Sequence, residues 1–120
     1  MSLKVDNIIM DPSNDKFKDE CGVFGIYSNN PLDVASVTYY GLYALQHRGQ
    51  ESAGIAVANG EDINIKKGMG LITEAFSQED IDSLKGFAAI GHVRYSTAGG
   101  GGIANVQPFV FRTMQGSMSI

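Results

Sequence analysis

Cys21 is the one cysteine of the chain, and it stands where the texture of the sequence changes, after the acidic pair Asp19-Glu20 and before Gly22. A thiolate is a strong nucleophile, and a neighbouring glycine removes bulk from the approach to sulfur. Two kinds of base could take its proton. A cut between Glu20 and Cys21 would put a new α-amino group on the nucleophile's own residue, and its unperturbed pKa of about 8 suits it to that work. His47 and His92 offer the other route, a Cys–His pair. Each of these residues also has an ordinary structural use. A cysteine in a strand can be a small buried hydrophobe, His47 can serve the end of the helix it follows, and His92 can be a hydrogen-bonded core histidine. The three have none of the short ligand spacings of a metal site, and no metal is expected.

Arg94 lies two residues beyond His92 in the run Ile90-Gly91-His92-Val93-Arg94-Tyr95, so on a strand both point to one face. An arginine in so apolar a run needs an anion. One of the protein's own carboxylates would make it a structural ion pair. Otherwise its fork can hold a substrate carboxylate through two parallel hydrogen bonds, with Thr97 and the following loop within reach. The glycines at 99–102 lack the Lys-Ser/Thr and the helix start of a phosphate-binding loop. They read either as a lid over Arg94 or as a plain surface loop.

The elements that must position these residues follow from pattern. Residues 21–27 form a strand rich in β-branched and aromatic side chains. A helix is predicted over about 31–46, capped by Asn30 with Pro31 in its first turn; Val34, Val37, Tyr40, Gly41, Ala44 and Leu45 form its buried face, and Gly49 helps to stop it. Strands at 53–59 and 62–67 are joined by a tight Asn59-Gly60 turn. Ser77 opens a second short helix, with Asp80 completing a capping box, Phe76 and Ile81 spaced as a staple, and Lys85-Gly86 closing it. Residues 87–95 form a further strand, 97–108 a loop, and 109–111 with 116–120 a last hairpin. This is an α+β pattern with antiparallel sheet.

Composition excludes several classes. A chain of 120 residues with 43% hydrophobic and 18% charged side chains can build one core and is not of disordered type. Nine basic against thirteen acidic residues, net −4, with only Lys66-Lys67 adjacent, does not suit a nucleic-acid binder. One cysteine allows no internal disulfide, no apolar run approaches the roughly 20 residues that span a bilayer, and there is no basic start with a long apolar centre as in a secretory signal. No membrane association and a cytoplasmic location are expected. Residues 1–20 are polar, with a short apolar patch at Val5, Ile8, Ile9 and Met10. They read as a weakly packed tail or, if the chain is cut before Cys21, as a propeptide.

Four motifs occur in order: Cys-Gly-Val-Phe-Gly-Ile at 21–26, Leu-Gln-His-Arg-Gly-Gln-Glu-Ser-Ala-Gly-Ile at 45–55, Gly-His-Val-Arg-Tyr-Ser-Thr-Ala-Gly at 91–99 and Gln-Pro-Phe at 107–109. Together they resemble the amidophosphoribosyltransferase family. His47-Arg48-Gly49-Gln50 and His92-Val93-Arg94-Tyr95 fit it better than the related glucosamine-6-phosphate synthase group. The resemblance implies a class II glutamine amidotransferase segment over 21–120, with the N-terminal nucleophile hydrolase fold, a four-layer αββα sandwich, incomplete here. It implies that Cys21, freed by removal of propeptide 1–20, attacks the glutamine amide. Arg94 and Thr97 would hold the glutamine α-carboxylate and amino end, and Arg48 and Gly49 would lie beside the nucleophile. It places the oxyanion-forming Asn-Gly pair, the acidic residue for the amino group and the phosphoribosyltransferase domain beyond Ile120, so this stretch alone is expected not to turn over. The implied partners are glutamine and phosphoribosyl pyrophosphate, and the parent is expected to be a homo-oligomer. Magnesium and, in some members, a 4Fe–4S cluster would belong to the remainder of the parent. Another class II amidotransferase or amide hydrolase, and a non-catalytic interaction module, stand as alternatives.

Overall fold

The computed structural model describes residues 21–46, 50–95 and 102–120. The expectations for propeptide 1–20, for His47, Arg48 and Gly49, and for Thr97 and the glycines at 99–101 lie outside these residues. The elements run β1 (Gly22–Tyr27), α1 (Val34–Leu45), β2 (Gln50–Ala58), β3 (Ile63–Met69), α2 (Ile72–Ala75), α3 (Gln78–Ser83) and β4 (Ala88–Tyr95), followed by a 3-10 turn (Ile103–Asn105), β5 (Val110–Thr113) and β6 (Gly116–Ser119). The strands of the first sheet are ordered β1-β4-β2-β3 and every pairing is antiparallel; β5 and β6 pair separately.

Local chemistry explains the boundaries, and in places corrects the expected ones. Helix α1 starts at Val34, not at Pro31. The Asp33 carboxylate is the cap, accepting from the Ser36 N–H at 3.1 Å and from Ser36 Oγ at 2.7 Å. Asn30 is instead held in a turn with Ser28, whose Oγ accepts from the Asn30 N–H. The β2–β3 connection is a four-residue loop, 59–62, rather than a two-residue hairpin. Asn59 Oδ1 accepts from the N–H groups of both Glu61 and Asp62, and Gly60 alone takes positive φ, at 94°. This side-chain turn satisfies the backbone without forcing Asn59 left-handed. The capping box at α3 forms as read, between Ser77 and Asp80, but the helix ends at Ser83, before Lys85-Gly86. Helix α2 has no counterpart in the sequence reading.

Alternation along the strands divides the sheet into two faces. Toward α1 point Phe24, Val93, Ala53, Ile55 and Val57, which join Val34, Leu42, Ile72, Phe76, Ile81 and Leu84 in one core. Gly41 and Gly91 allow the close approach. A Cβ on Gly41 would stand 2.4 Å from the Phe24 ring, and one on Gly91 2.6 Å from Thr38. The opposite face carries Val23, His92, Arg94, Ser52, Gly54 and Lys67. The segment before β5 crosses this second face. Gly54 is bare there because a Cβ would meet Gln107 O at 2.2 Å and Pro108 Cδ at 2.8 Å, and Lys67 Nζ lies 4.9 Å from the centre of the Phe109 ring. Arg112 pairs with Asp62 at 2.5 Å and ties the β5–β6 hairpin to the β2–β3 loop. Between hairpin and sheet runs a mostly apolar groove of about 650 Å³, lined by Tyr27, Ala56, Ile63, Ile90, Met118 and Ile120 among others.

Candidate active site

The strand register brings Cys21 and Arg94 together. Gly22 pairs with Val93 and Val23 with His92, so Cys21, one residue before the paired stretch, leads into β1 beside the end of β4 that carries Arg94. On the other side of β4, Ser52 pairs with Arg94. Arg94 and Ser52 are therefore direct neighbours on strands about 4.8 Å apart, with Cys21 leading into β1 on the far side of β4. Cys21 is exposed, with its thiol free.

Arg94 is not used up structurally. Its Nη1 donates to the Asn105 carbonyl at 2.9 Å, which anchors the 3-10 turn over the site. Among the described residues the ion pairs are Lys66–Asp80 and Arg112–Asp62, and neither involves Arg94. A neutral carbonyl satisfies one N–H of a group that has five and carries a full charge. The remaining donors suit a bidentate anion such as a carboxylate.

His92 points to the same face as Arg94, as its spacing predicts. It is 8% exposed, and its Nδ1 has no hydrogen-bond partner among the described residues. Burial first, and the Arg94 charge second, push its pKa below the ordinary 6.5, which favours the neutral imidazole. Among the described residues no three His, Cys, Asp or Glu side chains are grouped to hold a metal.

Residues the sequence reading passed over complete the surroundings. A register shift between Gln50 and Ser52 makes a bulge at the start of β2, directly beside Arg94 and Tyr95. Gln50 Nε2 donates to Ser52 O at 3.0 Å and to Gly70 O at 2.7 Å, while Gln46 Oε1 accepts from the Ile72 N–H at 3.1 Å. Gln46 and Gln50 are thus both tied to the chain around Gly70–Ile72. The available signal was Gln50-Glu51-Ser52, three polar residues opening an otherwise apolar strand. Asn105 gave none, since it acts through its backbone.

No family model matches the chain. Curated relatives do. The chain is 53% identical over 100 residues to the amidophosphoribosyltransferase of Methanocaldococcus jannaschii, a match covering 83% of this chain and 21% of that protein. It is 53% identical over 103 residues to that of Bacillus subtilis, covering 85% and 21%. A solved structure described as the allosteric regulatory enzyme of purine biosynthesis superposes with a TM-score of 0.70 at 53% identity, over 81% of this chain and 21% of that one. The glutamine phosphoribosylpyrophosphate amidotransferase of B. subtilis complexed with ADP and GMP gives 0.69 at 49%, over 81% and 20%. The chain thus spans about a fifth of the length of the relatives it matches.

Proposed function

Because the chain is a homologue of the amidophosphoribosyltransferases over about a fifth of their length, we propose that it is the glutamine-hydrolysing portion of such an enzyme, built as part of an N-terminal nucleophile αββα sandwich. The observation that carries this reading is the juxtaposition of an exposed thiol, Cys21, with an arginine fork that no carboxylate of the described chain occupies.

In this reading the substrate α-carboxylate docks on Arg94, with Thr97 at the amino end and the side-chain amide toward Cys21. Removal of residues 1–20 frees the Cys21 α-amine, which takes the thiol proton. The thiolate attacks the amide carbon, the C–N bond breaks, and the proton passes to the departing nitrogen, releasing ammonia. Water then hydrolyses the thioester to glutamate and regenerates the thiol. In the complete protein the ammonia would displace diphosphate from phosphoribosyl pyrophosphate to give 5-phosphoribosylamine, the first step of purine synthesis. Magnesium and, in some relatives, a 4Fe–4S cluster fit the remainder of the protein rather than this chain, which has one cysteine where such a cluster takes four. No helix among the described residues is long and apolar enough to cross a membrane.

The direct test is ammonia release from glutamine and from other amides by the complete protein, with and without Cys21→Ala. Glutamine hydrolysis that is lost in the alanine variant supports the reading. Release from an unrelated amide but not from glutamine would move the protein to a different amide hydrolase.

A further inference from the structure

We infer that Ser52 is a further glutamine-binding residue, its hydroxyl donating to the α-carboxylate seated on Arg94; this rests on the glutaminase reading above. Ser52 pairs directly with Arg94 across the β2–β4 ladder, and alternation from Ala53, which faces the core, turns its side chain to the Arg94 face. It is 1% exposed, yet its Oγ has no hydrogen-bond partner among the described residues. Buried hydroxyls are nearly always bonded, because an unmet one costs folding stability. Of the unmet buried atoms among the described residues, Ser52 Oγ and His92 Nδ1 belong to the face that carries Arg94. Ser52 is the member paired with the arginine itself.

The chemistry fits a carboxylate. An arginine fork takes one lone pair from each carboxylate oxygen and leaves others open to a hydroxyl donor. With Cys21 on one side of Arg94 and Ser52 on the other, a carboxylate between Arg94 and Ser52 leaves the rest of the substrate to run toward the thiol. The Asn105 carbonyl now occupies one Arg94 N–H, and the same segment continues over Gly54 at Gln107 and Pro108. Docking of the carboxylate on the remaining Arg94 donors would supply Ser52 with its missing acceptor.

The test uses the complete protein with Ser52→Ala and Ser52→Cys, reading glutamine KM, kcat and the melting temperature without substrate. A lost hydrogen bond to a charged group should raise KM by roughly tenfold in Ser52→Ala, with a smaller change in kcat. The melting temperature should hold or rise, since a methyl replaces an unmet hydroxyl. Ser52→Cys keeps the size but is a poor donor, so its KM should lie near that of the alanine variant, and it decides the matter alone if Ser52→Ala does not fold. An unchanged KM, a KM rise accompanied by a fall in melting temperature, or a wild-type KM in Ser52→Cys would each overturn the inference while leaving glutamine hydrolysis in place. Absence of glutamine hydrolysis by the unsubstituted protein would remove this inference and the proposed function together.

Discussion

At the scale of single residues, the proposed substrate binding rests on Arg94, whose fork no carboxylate among the described residues occupies. Lysine keeps the charge but loses the fork. Arg94→Lys in the complete protein should therefore raise the glutamine KM about tenfold or more, from charge-assisted bonds worth roughly 1.5–3 kcal/mol each. An unchanged KM would reduce Arg94 to an anchor for the Asn105 carbonyl. His92 gives a different prediction. Its folded pKa lies below the unfolded value near 6.5, so the unfolded chain binds more protons between the two. Its contribution is favourable above about pH 6.5 and is lost as the pH falls through the folded pKa. Melting temperatures measured between pH 7 and 5 should decline, and His92→Gln should flatten that slope while retaining substantial glutamine hydrolysis. Complete loss of hydrolysis in a folded His92→Gln variant would favour a Cys–His mechanism over the α-amine.

Among the elements, the crossing of Gln107 and Pro108 over Gly54 fixes the segment that carries Asn105 to Arg94. Gly54→Ala puts a methyl where the Gln107 carbonyl now lies. Overpacking of this kind costs about 1–3 kcal/mol, so a lower melting temperature and an altered glutamine KM should appear together. A neutral outcome would mean that the crossing does not position the site. Much at this scale was legible in the sequence. The Ser77–Asp80 capping box reports short-range chemistry that one stretch of chain decides by itself. The expected stripe of α1 is corrected: Val34 is buried, but Tyr40 and Ala44 are exposed, and Ala35, Thr38 and Leu42 are buried instead, because the bare Gly91 lets Thr38 and Leu42 close onto β4. What was not legible depended on neighbours. Asp33 caps α1 in place of Asn30 because Ser36 is there to complete the bond, and Asn59 curls its own side chain into the turn. The short helix α2 has no periodicity of its own and is packed by Gly68, on which a Cβ would meet the Ala75 backbone at 2.1 Å. The Ser52–Arg94 pair belongs to the register of a bulged strand, which no local pattern reveals.

For the whole molecule, the sheet has one face buried beneath helices and another only partly covered. Val23 and Tyr27 are 69% and 66% exposed, and the apolar groove beside the hairpin is open. The resemblance implies that the oxyanion donors are supplied from beyond Ile120. Residues 21–120 alone should therefore form glutamate at least about 10²-fold more slowly than the complete protein; comparable rates would show that this stretch carries its own donors. In the proposed reaction the base is the α-amine of Cys21 itself, and that amine exists only after residues 1–20 are removed. The intact mass and amino-terminal sequence of the fully active complete protein test this directly. A mature chain beginning at Cys21 is expected; full glutamine hydrolysis by protein that still carries residues 1–20 would contradict an α-amine base.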